Sequence, residues 1–267
     1  MLPNTLRRNL KGAYTIWYRD VLRFLRDRTR IFGSFGMPLL YLFVFGNGLA
    51  PAISGLGGGQ LDFKQFMYPG ILAMVVLFTS VFSAVSIVWD REFGFLKEVL
   101  VAPVSRAAVA LGKVAGGATV AMFQGAIILV LAPIIGIPLS AEQVVVLLAL
   151  MLFLAVTMTS LGILIAARQR SMEGFQVIMQ FLIMPLFFLS GALFPLRRIP
   201  LWLAWLTKVD PVTYGVDPLR QVVLRGTVGA EVLRTLSLHP IATDLAILGL
   251  LTIIFLVPAV WLFSRQD

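Results

Sequence analysis

The sequence contains no cysteine and few charges. None of its 267 residues is Cys, and Asp, Glu, Lys and Arg together make up only 13%. The absence of cysteine excludes disulfides, thiolate catalysis and Cys-ligated metals. The scarcity of charge, set against the ~25% usual in soluble domains, leaves too little polar surface to coat a water-soluble globule. A soluble enzyme, a nucleic-acid-binding domain and a disordered tail are therefore excluded.

Two kinds of catalytic motif are also missing. No segment fits the phosphate-binding pattern G-x-x-x-x-G-K-[ST], because Gly112 and Lys113 are followed by Val114. His239 is the only histidine, so a His-based metal site or a Ser-His-Asp triad has little to work with, and we expect an ordinary loop residue. The sequence predicts a chain that is not an enzyme and has no nucleotide, cofactor or metal site of its own.

Long apolar segments are abundant. Hydrophobic residues make up 59% of the chain, and about 20 consecutive apolar residues span a bilayer. The runs are continuous rather than alternating in ten-residue segments, which favours helices over a β-barrel. We therefore predict an all-α, polytopic membrane protein with six transmembrane helices. The predicted spans are 31–50, 66–89, 114–137, 143–167, 174–195 and 243–264.

Lys and Arg are distributed unevenly among the connections. Fifteen lie at the two termini and in the connections on the same side, whereas seven lie on the opposite side. The positive-inside rule then predicts that both termini are cytoplasmic. The formal charge of +9 is interpreted in the same way, as a determinant of topology rather than a sign of nucleic-acid binding. The connection at 196–242 is the exception, because it carries six of the seven opposing cations.

Residues 1–30 form a separate N-terminal unit, which leaves 31–267 as the transmembrane domain. At about 100° per residue, apolar and charged side chains separate onto two helix faces, as expected of an amphipathic helix lying in the headgroup layer. A basic tail that only sets topology is the alternative. The apolar face comprises Tyr14, Trp17, Tyr18, Val21, Leu22, Phe24 and Leu25, and the charged face comprises Arg19, Asp20, Arg23, Arg26, Asp27 and Arg30.

The connection between spans two and three is unusually long and organised. Its charges alternate with apolar residues, which predicts a short amphipathic cytoplasmic helix at about 90–103, ended by Pro103. Such a helix can insert its apolar side into a groove on a partner while its charges fix the register. A solvated helix without a partner is the alternative.

Two motifs together resemble one transporter family. The first, R-E-x-G-x-x-K-E-x-L-x-x-P-V-S, runs from Arg91 to Ser105 and is followed by Lys113. The second combines S-G-x-x-F-P at 190–195 with D-P-x-x-Y and a later Arg at 210–220. Both blocks and the six-span layout resemble ABC type-2 exporter permeases, especially the daunorubicin-resistance and nodulation-factor export type. At the start of D-P-x-x-Y this family more often has Asn than Asp.

The resemblance implies a permease in the cytoplasmic membrane of a prokaryote. It would pair with separate ATP-binding cassette ATPase subunits, which bind ATP and Mg, and with a second membrane subunit, identical or a paralogue. The exported substrate would be amphipathic: a drug, a lipid or a lipid-linked saccharide. The 90–103 segment would be the coupling helix seated on the ATPase. Its expected contact residues are Arg91, Glu92, Phe93, Gly94, Phe95, Lys97, Glu98 and Leu100.

The resemblance also accounts for the basic 196–242 connection. In this family the stretch after span five folds back as short extracellular re-entrant helices, so its cations weigh less in the topology. We expect Trp202 and Trp205 at membrane depth in this hairpin, since indole rings prefer the interface. The residues expected to build the hairpin are Ser190, Gly191, Phe194, Pro195, Pro211, Tyr214 and Arg220.

Two other functions stay open at this point: an ion-coupled secondary multidrug transporter, and a non-transporting assembly factor. The predicted spans contain no ionisable residue except Asp244, at the outer edge of the last one, whereas ion-coupled transporters usually carry such groups near the midplane. Weak candidates for substrate contacts are Gln124, Gln176 and Gln180, although such amides more often hydrogen-bond across helices.

Overall fold

The computed structural model describes residues 4–48, 63–93, 104–196 and 199–264. The regular elements within these ranges are helices, which confirms the all-α prediction. The first six helices are α1 (Asn4–Arg26), α2 (Arg28–Gly48), α3 (Phe63–Ser83), α4 (Val85–Glu92), α5 (Arg106–Leu131) and α6 (Ala141–Ala166). The others are α7 (Met172–Leu189), α8 (Leu201–Val209), α9 (Thr213–Leu224), α10 (Ala230–Leu236) and α11 (Ile241–Ser264), with a 3-10 turn at Pro133–Ile135 after α5.

Five stretches of the described residues are long and apolar enough to cross a membrane, so the protein is a polytopic membrane protein. These stretches are Phe63–Glu92, Arg106–Leu131, Ala141–Ala166, Met172–Leu189 and Ala230–Phe263. They correspond to the second to sixth predicted spans. The first predicted span lies on α2, whose apolar part, Ile31–Val44, is shorter, and its predicted end at 49–50 lies outside the described residues. The six-span layout stays a prediction.

Small residues allow the central helices to approach closely. A Cβ added at Gly117 on α5 would lie 2.7 Å from Cγ2 of Thr159 on α6, and one at Gly162 on α6 would lie 2.7 Å from the backbone oxygen of Val81 on α3. Membrane helices associate through such close packing because lipid offers no hydrophobic driving force between them. α3, α5, α6 and α11 therefore form the core, and α9 packs against α3, α6 and α11.

The N-terminal helix α1 packs along α5. At Gly112 of α5 a Cβ would lie 2.7 Å from the backbone oxygen of Ala13, and Nε1 of Trp17 donates a hydrogen bond to Oγ1 of Thr119 at 2.9 Å. One residue of the predicted charged face points into the protein: Asp20 meets a buried ammonium group of α5. An apolar strip of α1 is left exposed, as an interfacial helix requires. It comprises Leu6, Leu10, Tyr14, Tyr18 and Leu25.

Candidate coupling and transport sites

Lys113 lies at the centre of a buried charge cluster at one end of the bundle. It sits on α5 and is only 5% exposed. Its Nζ donates hydrogen bonds to Oγ of Ser86 at 2.9 Å, to Oδ2 of Asp90 at 3.1 Å and to Oδ1 of Asp20 at 3.3 Å. Arg19 also donates to Oδ2 of Asp90, at 2.8 Å. Two cations thus compensate two carboxylates, which offsets the cost of taking these charges out of water.

This charge cluster ties three helices together. Asp20 comes from α1, Asp90 from α4 and Lys113 from α5. α4 ends at Glu92, at the start of the predicted coupling segment, and α5 begins at Arg106, soon after that segment. The ion pairs therefore join the helices on both sides of this segment to α1.

Arg91 and Glu92 bind a neighbouring turn of the same chain. NH1 of Arg91 donates to the carbonyl oxygen of Gln169, and NH2 donates to that of Ala167 at 3.1 Å. Oε2 of Glu92 accepts a hydrogen bond from the backbone N–H of Met172 at 3.2 Å. Both side chains therefore hold the end of α4 against the turn between α6 and α7.

Two aromatic side chains next to these contacts point outward. Phe93 is 72% exposed and Trp89 is 40% exposed, and their ring centroids are 5.4 Å apart. The guanidinium of Arg23 lies over the Trp89 ring, 5.5 Å from its centroid. The end of α4 thus presents an apolar surface, Trp89–Phe93, in which Arg23 covers part of the Trp89 ring and the Phe93 ring stays largely exposed.

A cavity of about 240 Å³ opens between α2, α3, α5 and α7. A polar patch interrupts its apolar wall: Nε2 of Gln124 donates to Oγ of Ser34 at 2.6 Å, and Oε1 of Gln124 accepts from Oγ1 of Thr79. An apolar hollow with a few polar groups is the usual form of a small-molecule site. The other lining residues are Gly33, Met37, Pro38, Tyr41, Met74, Val75, Phe78, Phe82, Met184 and Phe187.

At the opposite end of the bundle, Gly191 forms the turn that follows α7. Its φ is +74°, and a Cβ there would lie 2.7 Å from Cγ of Leu196, so a larger residue would be strained and crowded. Arg220 of α9 is 3% exposed, donates to the carbonyl oxygen of Gly191 at 2.5 Å and stacks over the ring of Phe66. The two halves of the second motif therefore touch.

The remaining residues of this motif hold α8 and α9 in place. Oγ of Ser190 donates to the carbonyl oxygen of Phe187 at 2.7 Å and caps the end of α7. The hydroxyl of Tyr214 donates to the carbonyl oxygen of Lys208 at 2.7 Å, which links α9 back to α8. Pro211 is buried in the connection between these two helices, Phe194 is half-buried and Pro195 is exposed.

The sequence model of the ABC-2 type transporter family matches residues 12–224. This chain belongs to that family. It is therefore an ABC-2 type transporter permease. Family membership favours the ATP-driven class over the ion-coupled alternative.

Several named permeases are similar to the chain. The transport permease ycf38 of Cyanophora paradoxa is 31% identical over 185 residues, which cover 68% of this chain and 64% of that protein. YbhR of Escherichia coli K12, named a probable multidrug ABC transporter permease, is 27% identical over 172 residues, 62% of this chain and 45% of that protein. The inner membrane transport permease YadH of the same strain is 24% identical over 209 residues, 77% of this chain and 80% of that protein.

The predicted contact residues of the permease fall into two groups. Arg91, Glu92 and Phe93 lie at the end of α4, where the first two bind the permease itself and the third faces outward. Gly94, Phe95, Lys97, Glu98 and Leu100 lie outside the described residues, so their contacts with an ATPase stay predictions.

The three glutamines predicted as substrate contacts lie in two different places. Gln124 lines the cavity, whereas Gln176 and Gln180 are exposed on the outer surface of α7. They lie one helical turn apart and share this surface with Phe181, which is 80% exposed. The structure therefore brings only Gln124 to the candidate substrate site.

The charge cluster is not evident as a unit from the sequence. In the sequence, Lys113 is noted only as the residue that follows the first motif, and Asp20 is one of six residues on the predicted charged face of the N-terminal helix. A lysine within a 26-residue apolar helix is the available signal, since charges in a span are expected to pair within the bundle.

Asp210 begins the D-P-x-x-Y motif and lies in the turn before α9. Its Oδ1 accepts from the backbone N–H of Val212 at 2.9 Å, and its Oδ2 accepts from Oγ1 of Thr213 at 3.1 Å. Burial raises the pKa of Asp210 to about 7, although the hydrogen bonds from Val212 and Thr213 oppose this shift. The position thus holds a carboxyl group that titrates near neutral pH.

We expect Asp210 to make the permease less stable as the pH rises through about 7. Because burial raises its pKa above the ordinary value of 3.8, the folded state binds more protons than the unfolded state between these values, and stability falls across that window. Asp210→Asn keeps an acceptor for Val212 without a charge, so the fall in Tm between pH 5 and pH 8 should be smaller. Equal slopes in the wild type and the variant would show that Asp210 is not responsible.

Proposed function

We propose that this permease exports an amphipathic substrate, such as a drug, a lipid or a lipid-linked saccharide, with energy from ATP hydrolysed on separate subunits. The cavity carries this proposal: its wall is largely apolar, and Ser34, Thr79 and Gln124 supply one polar patch. A molecule with an apolar body and a polar group matches both parts. The name of the relative YbhR, a multidrug permease, points in the same direction.

The proposed topology has six spans with both termini in the cytoplasm of a prokaryotic cell. α2 is the first span, and α8 with α9 forms an external re-entrant hairpin. One support is the division of the cations, fifteen on the cytoplasmic side and seven on the other. The other is the difference in burial between α8 and α9. α9 is buried among the spans, whereas Trp202 and Trp205 on α8 are 65% and 67% exposed, as expected for rings facing lipid.

A second membrane subunit is proposed to cover the outer surface of α7. Gln176 and Gln180 are exposed there within a span, and uncovered amides are unfavourable in hydrocarbon because their hydrogen-bonding groups would lack partners. Pairing of two permease subunits through this surface would supply those partners.

Coupling is proposed to begin at the Trp89–Phe93 surface. Each ATPase subunit, with its ATP and Mg, would hold this surface and the 94–103 segment in a cleft. Closure of the two ATPase subunits would then move α4. The hydrogen bonds of Arg91 and Glu92 would carry the movement to the turn between α6 and α7, and Lys113 would carry it to α1 and α5. α5 and α7 line the cavity, so its shape would change with the ATP cycle.

We expect Gly33→Trp to block transport. Gly33 lines the cavity, and an added Cβ meets no atom within 4 Å, so the indole can occupy the cavity without a clash at its base. The measurement is transport of a fluorescent amphipathic dye, and dye-stimulated ATP hydrolysis, by the complete transporter in liposomes.

Gly36→Trp is the matched control, because Gly36 has the same free space on α2 but does not line the cavity. We expect at least a tenfold loss of transport in Gly33→Trp and near wild-type transport in Gly36→Trp. Equal activity of the two variants would mean that the cavity is not the substrate path. If the wild-type complex transports no amphipathic dye or lipid, the export function is wrong and the assembly-factor function is favoured.

A further inference from the structure

Three side chains that can ligate a metal meet where α9 approaches α11. Asp217 lies on α9, His239 lies just before α11 and Asp244 lies in the first turn of α11. One ligand atom from each lies within 4.8 Å of the other two. Asp217 and Asp244 are 2% and 0% exposed, whereas 35% of the His239 side chain is exposed. The two carboxylates are therefore buried, and the group is accessible from outside only at the imidazole of His239.

The distances suit a small cation with tetrahedral coordination. Nδ1 of His239 lies 3.1 Å from Oδ1 of Asp244. In a tetrahedral zinc site with bonds of roughly 2.0–2.1 Å, two ligand atoms are about 3.3 Å apart. Nδ1 and Oδ1 therefore lie close to the separation at which both could bind one ion.

Asp217 is held rigidly in the same place. Its Oδ2 accepts hydrogen bonds from the backbone N–H groups of Leu238 and His239, at 3.0 and 3.1 Å, and from Nε2 of Gln221 at 3.1 Å. Its Oδ1 accepts one, from Leu238 at 3.1 Å. Such bonds orient a ligating carboxylate, and Oδ1 keeps a lone pair for a metal.

Among the described residues, the two carboxylates have few cationic neighbours: Arg220 for Asp217 and the imidazole of His239 for Asp244. Among the described residues, Oδ2 of Asp244 is buried without a hydrogen-bond donor, and neither carboxylate forms an ion pair with a described Lys or Arg. Arg220 on α9 attracts Asp217 through its charge, but its guanidinium hydrogen-bonds the carbonyl of Gly191 and stacks on the ring of Phe66 rather than contacting the carboxylate. Two facing carboxylates with an unpartnered oxygen are costly to bury without a cation.

We propose that Asp217, His239 and Asp244 bind one zinc ion. One imidazole and two carboxylates form a ligand set that zinc accepts, with a fourth position left for water, whereas Ca²⁺ and Mg²⁺ prefer oxygen ligands throughout. The open side at His239 provides the entry path. The ion joins α9 to the start of α11 and so fixes the hairpin helix to the last span.

The test uses the 267-residue chain, purified without a histidine tag so that His239 is its only imidazole. After removal of metals with a chelator, Zn²⁺ is titrated against a chromophoric competitor, and Tm is followed in parallel. We expect one equivalent of Zn²⁺ per chain and a rise in Tm, because an ion that binds only the folded state stabilises it. Co²⁺ in the same site should give the visible absorption of tetrahedral coordination.

Variants distinguish this site from unspecific binding. His239→Gln and Asp244→Asn should each weaken Zn²⁺ binding at least tenfold and abolish the rise in Tm. Glu231→Gln, at an exposed carboxylate on α10, should leave both unchanged. His239→Gln changes a partly exposed side chain and is expected to fold. It therefore still tests the site if Asp244→Asn fails to fold. Failure to bind Zn²⁺ stoichiometrically, or equal Zn²⁺ affinity in the wild type and His239→Gln, would overturn the proposal. The alternative is then that Asp217 and Asp244 share a proton instead of a metal ion. Transport is not measured, so the result is independent of the proposed substrate.

Discussion

Phe93→Ala is expected to release the ATPase from the permease while leaving membrane insertion intact. Phe93 is 72% exposed in the isolated chain, so its truncation removes no internal packing of consequence. Loss of an aromatic anchor from a desolvated interface typically costs about 2 kcal/mol or more, roughly a thirtyfold loss of affinity. Co-purification of the two subunits and substrate-stimulated ATP hydrolysis in liposomes measure the effect.

Two controls make this prediction specific. Phe32 on α2 is 75% exposed, so Phe32→Ala removes an equally accessible ring away from the coupling segment and should leave ATPase binding intact. Lys97→Ala should have a smaller effect than Phe93→Ala, because an exposed ion pair is worth less than about 1 kcal/mol. Wild-type stoichiometry and stimulation in both Phe93→Ala and Phe95→Ala would show that this segment does not couple the subunits.

The internal contacts of Arg91 predict a different outcome for that residue. Its guanidinium donates to the carbonyls of Ala167 and Gln169, so Arg91→Ala would loosen α4 from the turn between α6 and α7. We interpret the first motif as having two tasks. Its charged residues at the end of α4 bind the turn between α6 and α7, and its aromatic residue Phe93 faces outward.

The spans are accessible from sequence because length and apolarity alone determine whether a helix can cross a bilayer. The predicted second to sixth spans each fall on a helix of the required length. The first is less distinct, since Ile31–Val44 is the apolar part of α2. The two-face prediction for α1 is incomplete because a helix on a membrane surface can have a third face. Asp20 lies on that face, towards α5.

The contacts between side chains of different helices cannot be predicted from the sequence, because they depend on how the helices pack. Gln124 is a candidate from the sequence, but its contacts with Ser34 and Thr79 come from α2 and α3. From the sequence alone, His239 is expected to be an ordinary loop residue and Asp244 lies at the outer edge of the last predicted span, so nothing connects the two. Packing of α9 against α11 brings Asp217 to both, and no local pattern records that approach.

Lys113→Met should strongly lower the stability of the permease. Both carboxylates would keep Arg19, which is partly exposed and lies 2.8 Å from Asp90 and 3.7 Å from Asp20, but both would lose the buried ammonium of Lys113 at 3.1 and 3.3 Å. Removal of one partner from a buried ion pair typically costs about 3–5 kcal/mol, which corresponds to a fall in Tm on the order of 10 °C. Thermal unfolding of the purified chain, followed by tryptophan fluorescence, measures it.

The double variant Lys113→Met with Asp90→Asn tests whether uncompensated charge is the cause. Because it removes one cation and one anion together, it should recover part of the lost stability, as expected when two residues interact directly. Lys11→Met, at an exposed lysine of α1, should change Tm little, since surface substitutions usually stay within about 0.5 kcal/mol. If the double variant is as unstable as the two single losses combined, the residues contribute independently, and the cluster does not act as the joint between α1, α4 and α5.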